Sequence, residues 1–274
     1  MNFSTAKTQL LLVFFLAVIV RTTYTLVVYA SMGNDGILSA DSHGILQLGQ
    51  ILADGGSVFR MYDSSGAALF SSDAMPVAYW LISWTLMLGD TGSPLPYVLL
   101  QGWIDGLTCV FIARLCGIIR PGLQLLGGMI AAVNPTQVVL AGLLFTDTLF
   151  LFFATASLLG SFLWLENARF RTACLVGIIL GLAAMNRPFI LIWLVLLPVF
   201  LLGSVLLLKR FRLRILAQLA MIYVLAFALM MPISLRNHGY FDSYRLSPQT
   251  GVHLLYWVVP LVKEFTQGYP REAW

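Results

Sequence analysis

The sequence predicts an all-α polytopic membrane protein, and three observations carry that prediction. Hydrophobic residues fill 59% of the 274 positions and charged residues only 10%, where soluble domains carry about 25% charged residues. The apolar stretches reach about 20 residues, the length at which a helix crosses a hydrocarbon core of about 30 Å, and they do not alternate as barrel strands do. Open β-structure cannot cross lipid with its backbone unpaired, so the spanning element is the helix. Finally, the basic residues sit in short loops beside apolar runs, which is the pattern that orients a chain in a bilayer.

Apolar runs lie at 9–30, 76–88, 96–117, 122–145, 147–165, 172–186, 188–208, 215–235 and 251–262. The run at 76–88 covers only about 20 Å as a helix, too little to span. Orientation decides the count independently. With a cytoplasmic N-terminus, 76–88 on the outer surface, and a tight pair of spans turning at Asn186-Arg187-Pro188, the residues Lys7, Arg114, Arg120, Arg169, Arg171, Lys209, Arg210, Arg212 and Arg214 all fall inside. If 76–88 spans instead, the cluster from Lys209 to Arg214 is thrown outside, against the rule. The preferred arrangement has seven spans: 9–30, 96–117, 122–145, 147–165, 172–186, 188–208 and 215–235. It also sorts the acids, which were not used to choose it. Asp35, Asp41, Asp54, Asp63, Asp73, Asp90, Asp147 and Asp242 fall outside, and Glu166 falls inside.

The outer loop, 31–95, is where polar residues gather. From Asp41 the residues Ile45, Leu46, Leu48, Ile51 and Leu52 recur at helical spacing and predict a helix over about 41–54. Asp41 stands at its start, in position to act as an N-cap. A Gly- and Ser-rich turn region follows to Ser72. A second helix over about 75–89 has Pro76 in its first turn and carries Tyr79, Trp80 and Trp84, suited to lying in the bilayer surface. The piece at 251–262 is short and interrupted by Pro260, and its state is left open.

Several function classes are excluded at this point. The net charge of +4 comes from scattered loop residues rather than a basic face, so nucleic-acid binding is not expected. Cys109, Cys116 and Cys174 all sit in apolar runs and read as small buried hydrophobes, not a disulfide framework. The first run is too long for a signal-peptide core and reads as an uncleaved first span. His43, His238 and His253 are too dispersed for a metal site.

Positive candidates remain. Arg187 and Arg236 stand at outer helix edges in a chain that otherwise keeps its cations inside. Asp147 opens a span, where an acid favours the helix dipole. Asp105 lies inside the span 96–117 with Gln101 one turn above it, and reads equally as a functional acid or as a buried hydrogen-bonding group.

In order along the chain, these features resemble one known pattern. Asp41, the stretch to Gly55-Gly56, the loop through Asp73 and Pro76-Val77-Ala78-Tyr79-Trp80 running to Gly89 form its first part. Asn134-Pro135 with Phe145-Thr146-Asp147-Thr148-Leu149-Phe150 is the second. Gly181-Leu182-Ala183 with Asn186-Arg187-Pro188 is the third, and Pro232 with Arg236-Asn237, Leu246-Ser247 and Gly251 is the fourth. Together they resemble the family 39 type glycosyltransferases of the C-type superfamily, which include protein O-mannosyltransferases and bacterial enzymes that move aminoarabinose to lipid A. Asp147 stands where that family more often has Glu. The resemblance covers nearly all of this chain but only the N-terminal half of a typical member.

The resemblance implies sugar transfer from a polyprenyl phosphate donor to a lipid, glycan or protein acceptor at the outer face of a bacterial inner or plasma membrane, without a cofactor. It implies Asp41 as general base and Asp147 as a second carboxylate. Arg187, Arg236 and Asn237 would handle substrate phosphate, with Arg60 a third cation. A transporter or lipid flippase, which would show broken helices near the midplane, and an inactive membrane scaffold are the alternatives.

Overall fold

A computed structural model of the chain describes residues 3–57, 60–62, 68–70, 75–89, 92–207, 213–247, 251 and 254–267. Among the described residues the regular structure is helical apart from a hairpin of two three-residue strands, β1 (Arg60–Tyr62) and β2 (Ala68–Phe70), paired antiparallel. The calls on Asp63, Asp73, Asp90, Lys209, Arg210, Arg212 and His253 lie outside the described residues.

Among the described residues five helices are long and apolar enough to cross a membrane. They are α1 (Phe3–Met32), α4 (Leu95–Ile119), α7 (Asp147–Asn167), α9 (Ile190–Leu207) and α10 (Leu213–Phe241). Two shorter helices, α2 (Ala40–Ala53) and α3 (Pro76–Leu88), form the loop between α1 and α4. The run at 172–186 becomes α8 (Phe170–Ala184), whose 15 residues cover about 22 Å. A π-helical turn, Leu254–Val258, leads into a final helix, α11 (Val259–Gln267), over the piece left open above.

The stretch 122–145 is not one continuous helix, as the sequence reading took it to be. It divides into α5 (Gln124–Ala132) and α6 (Pro135–Ala141), bent by 54° and counting as a sixth span only if the two are taken together. The break follows from Asn134-Pro135: proline has no N–H to donate, and Asn134 caps the new helix by accepting from the Gln137 N–H at 3.2 Å.

Two groups of helices pack side by side. α1, α4 and α5 meet around Val13, Ala17, Cys109, Ala131 and Ala132. α7 to α10 meet around Trp164, Val176, Leu180, Leu197, Ile222 and Ala226. α8 lies close against α10, because Gly177 and Gly181 bring backbones together. A Cβ added at Gly177 would meet the Ile222 carbonyl oxygen at 2.6 Å, the small-residue packing common between membrane helices. Outward, α9 exposes Ile192, Val195, Leu196 and Val199, a face that only lipid suits.

Hydrogen bonds order the two ends of the bundle. At one end the Gln218 amide donates to the Ala168 carbonyl at 3.0 Å, and Gln124 donates to the Ala6 carbonyl at 3.1 Å. At the other, the segment after α1 and the start of α2 are bonded to the turn before α7, which is bonded in turn to the turn after α8.

Candidate functional site

The polar end is assembled by a belt of hydrogen bonds. α2 starts at Ser39, not at Asp41, which corrects the N-cap expectation. The Ser39 N–H donates to the Ser42 hydroxyl at 2.9 Å, so the third helical residue reaches back to the cap. Gly55, at φ +83°, turns the chain out of the helix. Asp41 is therefore free of capping duty: it is exposed and has no hydrogen bond among the described residues.

Its neighbour Ser42 faces inward, fully buried. The Ser42 hydroxyl donates to the Leu144 carbonyl at 2.9 Å, and the Leu144 N–H donates to the Ile37 carbonyl at 2.9 Å. The start of α2 is thus fastened to the segment that leads into Asp147. From there the Asn186 amide donates to the Thr146 carbonyl at 3.0 Å, and Arg187 forms an ion pair with Asp147. The Val77 N–H, one of the unpaired donors at the start of α3, donates to the Met185 carbonyl at 3.3 Å.

The Asp147–Arg187 pair is open, with side-chain exposures of 35% and 43%. It borders a cavity of about 700 Å³ that is also lined by Phe150, Pro188, Leu191, Arg245 and Ser247. That cavity shares Leu191, Arg245 and Leu246 with an apolar groove of about 390 Å³ between α9 and α10, walled by Phe227, Met230, Met231 and Leu235. On the other side, Asp147 and Phe150 are shared with a pocket of about 210 Å³ that reaches Asp105 and Gln137.

Arg236 belongs to a different cavity. It lies with Tyr240 at one of about 840 Å³ between α3, α8 and α10, lined also by Pro76, Trp80, Met185 and Ile233. Its guanidinium stacks 5.5 Å from the Tyr240 ring centre and 5.7 Å from that of Phe241. The two arginines expected to bind substrate phosphate therefore open onto separate cavities.

Asn237 is buried at 1% exposure, and its amide is fully engaged. It accepts from Arg236 at 2.8 Å and donates to the carbonyls of Arg245 at 2.8 Å and Leu246 at 3.1 Å. Its observed work is to hold the segment after α10 in place, not to face a ligand. Arg60 lies on β1, and its side chain is outside the described residues. Asp41 does not line the cavities at Arg187 or Arg236.

The interior holds a group that the sequence reading passed over. Arg21, in the middle of α1, is 0% exposed and paired with Asp105 of α4, itself 2% exposed. The same guanidinium donates to the carbonyls of Ala132 at 2.6 Å and Ala131 at 3.3 Å. Those carbonyls are the ones freed where α5 ends inside the bundle. One turn above Asp105, the Gln101 amide donates to the carbonyls of Leu140, Ala141 and Leu143 at 3.0, 3.2 and 2.8 Å, where α6 ends. Arg21 thus serves the end of α5 at the break, and Gln101 serves the far end of α6. Of the two readings left open for Asp105, this geometry is the hydrogen-bonding one.

A signal for Arg21 was present: it and Asp105 both stand nine residues from the ends of runs 9–30 and 96–117 that face the same side. A cation and an acid at equal depth in neighbouring spans are partners by cost of burial. Arg245 lacked such a signal, because it sits in a polar loop where arginines are usually just solvated. Among the described residues no group of three His, Cys, Asp or Glu side chains is arranged to hold a metal ion. Compared with family models, curated proteins and solved structures, the chain matches none.

Proposed function

We propose that this chain is a membrane glycosyltransferase of the kind its four sequence segments resemble. It moves a sugar from a polyprenyl phosphate donor to an acceptor hydroxyl at the outer face of a bacterial inner or plasma membrane. In this reading α8 and the α5–α6 pair both count as crossings, the N-terminus is cytoplasmic, and 31–95 is an outer loop. Lys7, Arg114, Arg120, Arg169, Arg171 and Arg214 then fall on the inner side.

The observation that carries the reading is a conjunction at one end of the bundle. An exposed carboxylate with no partner among the described residues, Asp41, is fastened through Ser42 to the segment leading to Asp147. Beside Asp147 lies a cavity with two arginines, continuous with an apolar groove. Asp41 takes the proton of the acceptor hydroxyl as its oxygen attacks the anomeric carbon. The bond from that carbon to the phosphate oxygen breaks, and the phosphate leaves with the electron pair toward the arginines. Asp147 holds Arg187 in place for that departure.

The α5–α6 break is the feature a transporter reading would use. Its groups are already engaged, the carbonyls of Ala131 and Ala132 by Arg21 and the Gln137 N–H by Asn134, which favours a fixed joint over a ligand site. The test is Asp41→Asn in reconstituted membranes, offered radiolabelled polyprenyl phosphate mannose and aminoarabinose in parallel. Transfer is expected to fall about hundredfold or more, with insertion unchanged. Transfer at the wild-type rate would remove Asp41 from the base role.

A further inference from the structure

We infer that the donor's lipid phosphate binds between Arg187 and Arg245, with its chain in the α9–α10 groove, and not at Arg236. This rests on the transferase reading and fixes which of the two cavities takes the donor.

Charge distinguishes them first. In the cavity of about 700 Å³ the charged lining residues are Asp147, Arg187 and Arg245. Asp147 neutralises Arg187 in the resting pair, so Arg245 supplies the surplus positive charge. Arg245 is exposed, and its side chain has no hydrogen bond or ion pair among the described residues. Its backbone, by contrast, is fixed: the carbonyl accepts from Asn237 at 2.8 Å and the N–H donates to the Ser243 hydroxyl at 3.4 Å. A guanidinium on a fixed stem beside a second guanidinium is suited to gripping phosphate oxygens in two directions.

Shape distinguishes them next. Arg245 lines both the polar cavity and the apolar groove, so a head held by Arg245 continues into a tail lying along Phe227, Met230, Met231 and Leu235. The groove's other wall is α9, whose neighbouring residues Ile192 and Val195 are exposed as lipid-facing residues are. A membrane amphiphile therefore enters sideways from the bilayer. Arg236 instead stacks on Tyr240 and Phe241 and bonds to Asn237, which leaves its cavity for the other substrate. The occupant is thus a membrane lipid with a phosphate head, not free phosphate.

The experiment measures binding to the detergent-purified full chain with three probes: geranylgeranyl phosphate, geranylgeraniol and inorganic phosphate. Wild-type protein is expected to bind geranylgeranyl phosphate more tightly than either of the others. Arg245→Gln is expected to lower that affinity about tenfold, the scale of one charge-assisted contact, while geranylgeraniol binding stays the same. Arg245→Lys keeps part of the affinity, and Met231→Trp, which fills the groove, weakens both lipid probes. Equal binding of inorganic phosphate, no change in Arg245→Gln, or loss confined to Arg236→Gln would each overturn the assignment. Tight, Arg245-dependent probe binding in a protein that transfers no sugar would instead sink the transferase reading and leave the lipid site standing.

Discussion

Among the described residues two arginine–aspartate pairs join helices, and their surroundings make them opposites. Arg21 and Asp105 are sealed at 0% and 2% exposure, while Arg187 and Asp147 stand open at 43% and 35%. The sealed pair is enclosed by the protein: the guanidinium's other donors go to the carbonyls of Ala17, Ala131 and Ala132 and to the Cys109 sulfur. The open pair faces a cavity and has a second arginine beside it. The difference teaches that charge within a membrane protein is read by what else its donors reach. Donors aimed at cut helix ends build the fold, and donors left facing a cavity are available for chemistry.

The sharpest way to break the comparison is to remove one member of each pair. Arg21→Met leaves Asp105 as an uncompensated buried carboxylate and strips the Ala132 carbonyl of its donor, and single removal from a buried pair costs about 3–5 kcal/mol. The expected result is loss of a monodisperse peak in fluorescence-detected size exclusion. Adding Asp105→Leu removes the stranded charge but not the orphaned carbonyl, so the double variant regains only part of the stability. Full recovery would mean that Arg21 does not serve the end of α5. Arg187→Gln, by contrast, disrupts an exposed pair worth about 1 kcal/mol or less. Its thermal midpoint should barely move, while on the proposed transferase reading sugar transfer falls about tenfold or more from the loss of a phosphate ligand. A collapse of folding in Arg187→Gln would make the two pairs alike.

The same contrast explains what could be read from the residues beforehand. Length, hydropathy and the bias of Lys and Arg identify a helical membrane chain, because bilayer thickness and backbone satisfaction leave few other answers. The helices at 41–54 and 75–89 were legible from their apolar spacing and from Pro76, and they form as α2 and α3. The break at Asn134-Pro135 was not, since an apolar window is blind to one missing N–H when a distant arginine repairs it. Asn237 misled for a related reason: beside Arg236 it reads as a ligand, yet its amide closes a turn across nine residues of chain. Asp147 and Arg187, although 40 residues apart, were both picked by their positions at helix edges. Their pairing came only with the fold.

Ser42 carries the smallest and most discriminating effect, because it lies between the two kinds of region. Its hydroxyl is buried like the sealed pair, yet it holds the element that presents the exposed Asp41. Ser42→Ala deletes the donor to Leu144 and the acceptor for the Ser39 N–H, at a cost of about 1–2 kcal/mol for a capping group with a buried partner. The fold survives such a loss, so the thermal midpoint drops only by a few degrees. If Asp41 is the base, loosening α2 moves the carboxylate away from the acceptor, and the maximal rate falls while donor binding at Arg245 is unchanged. Ser42→Thr keeps the hydroxyl but adds a methyl group to a fully buried position, so it restores the rate only if the hydrogen bond matters more than the packing. A Ser42→Ala variant with a lowered midpoint and an undiminished transfer rate would show that α2 need not be fixed, and Asp41 would lose its claim along with it.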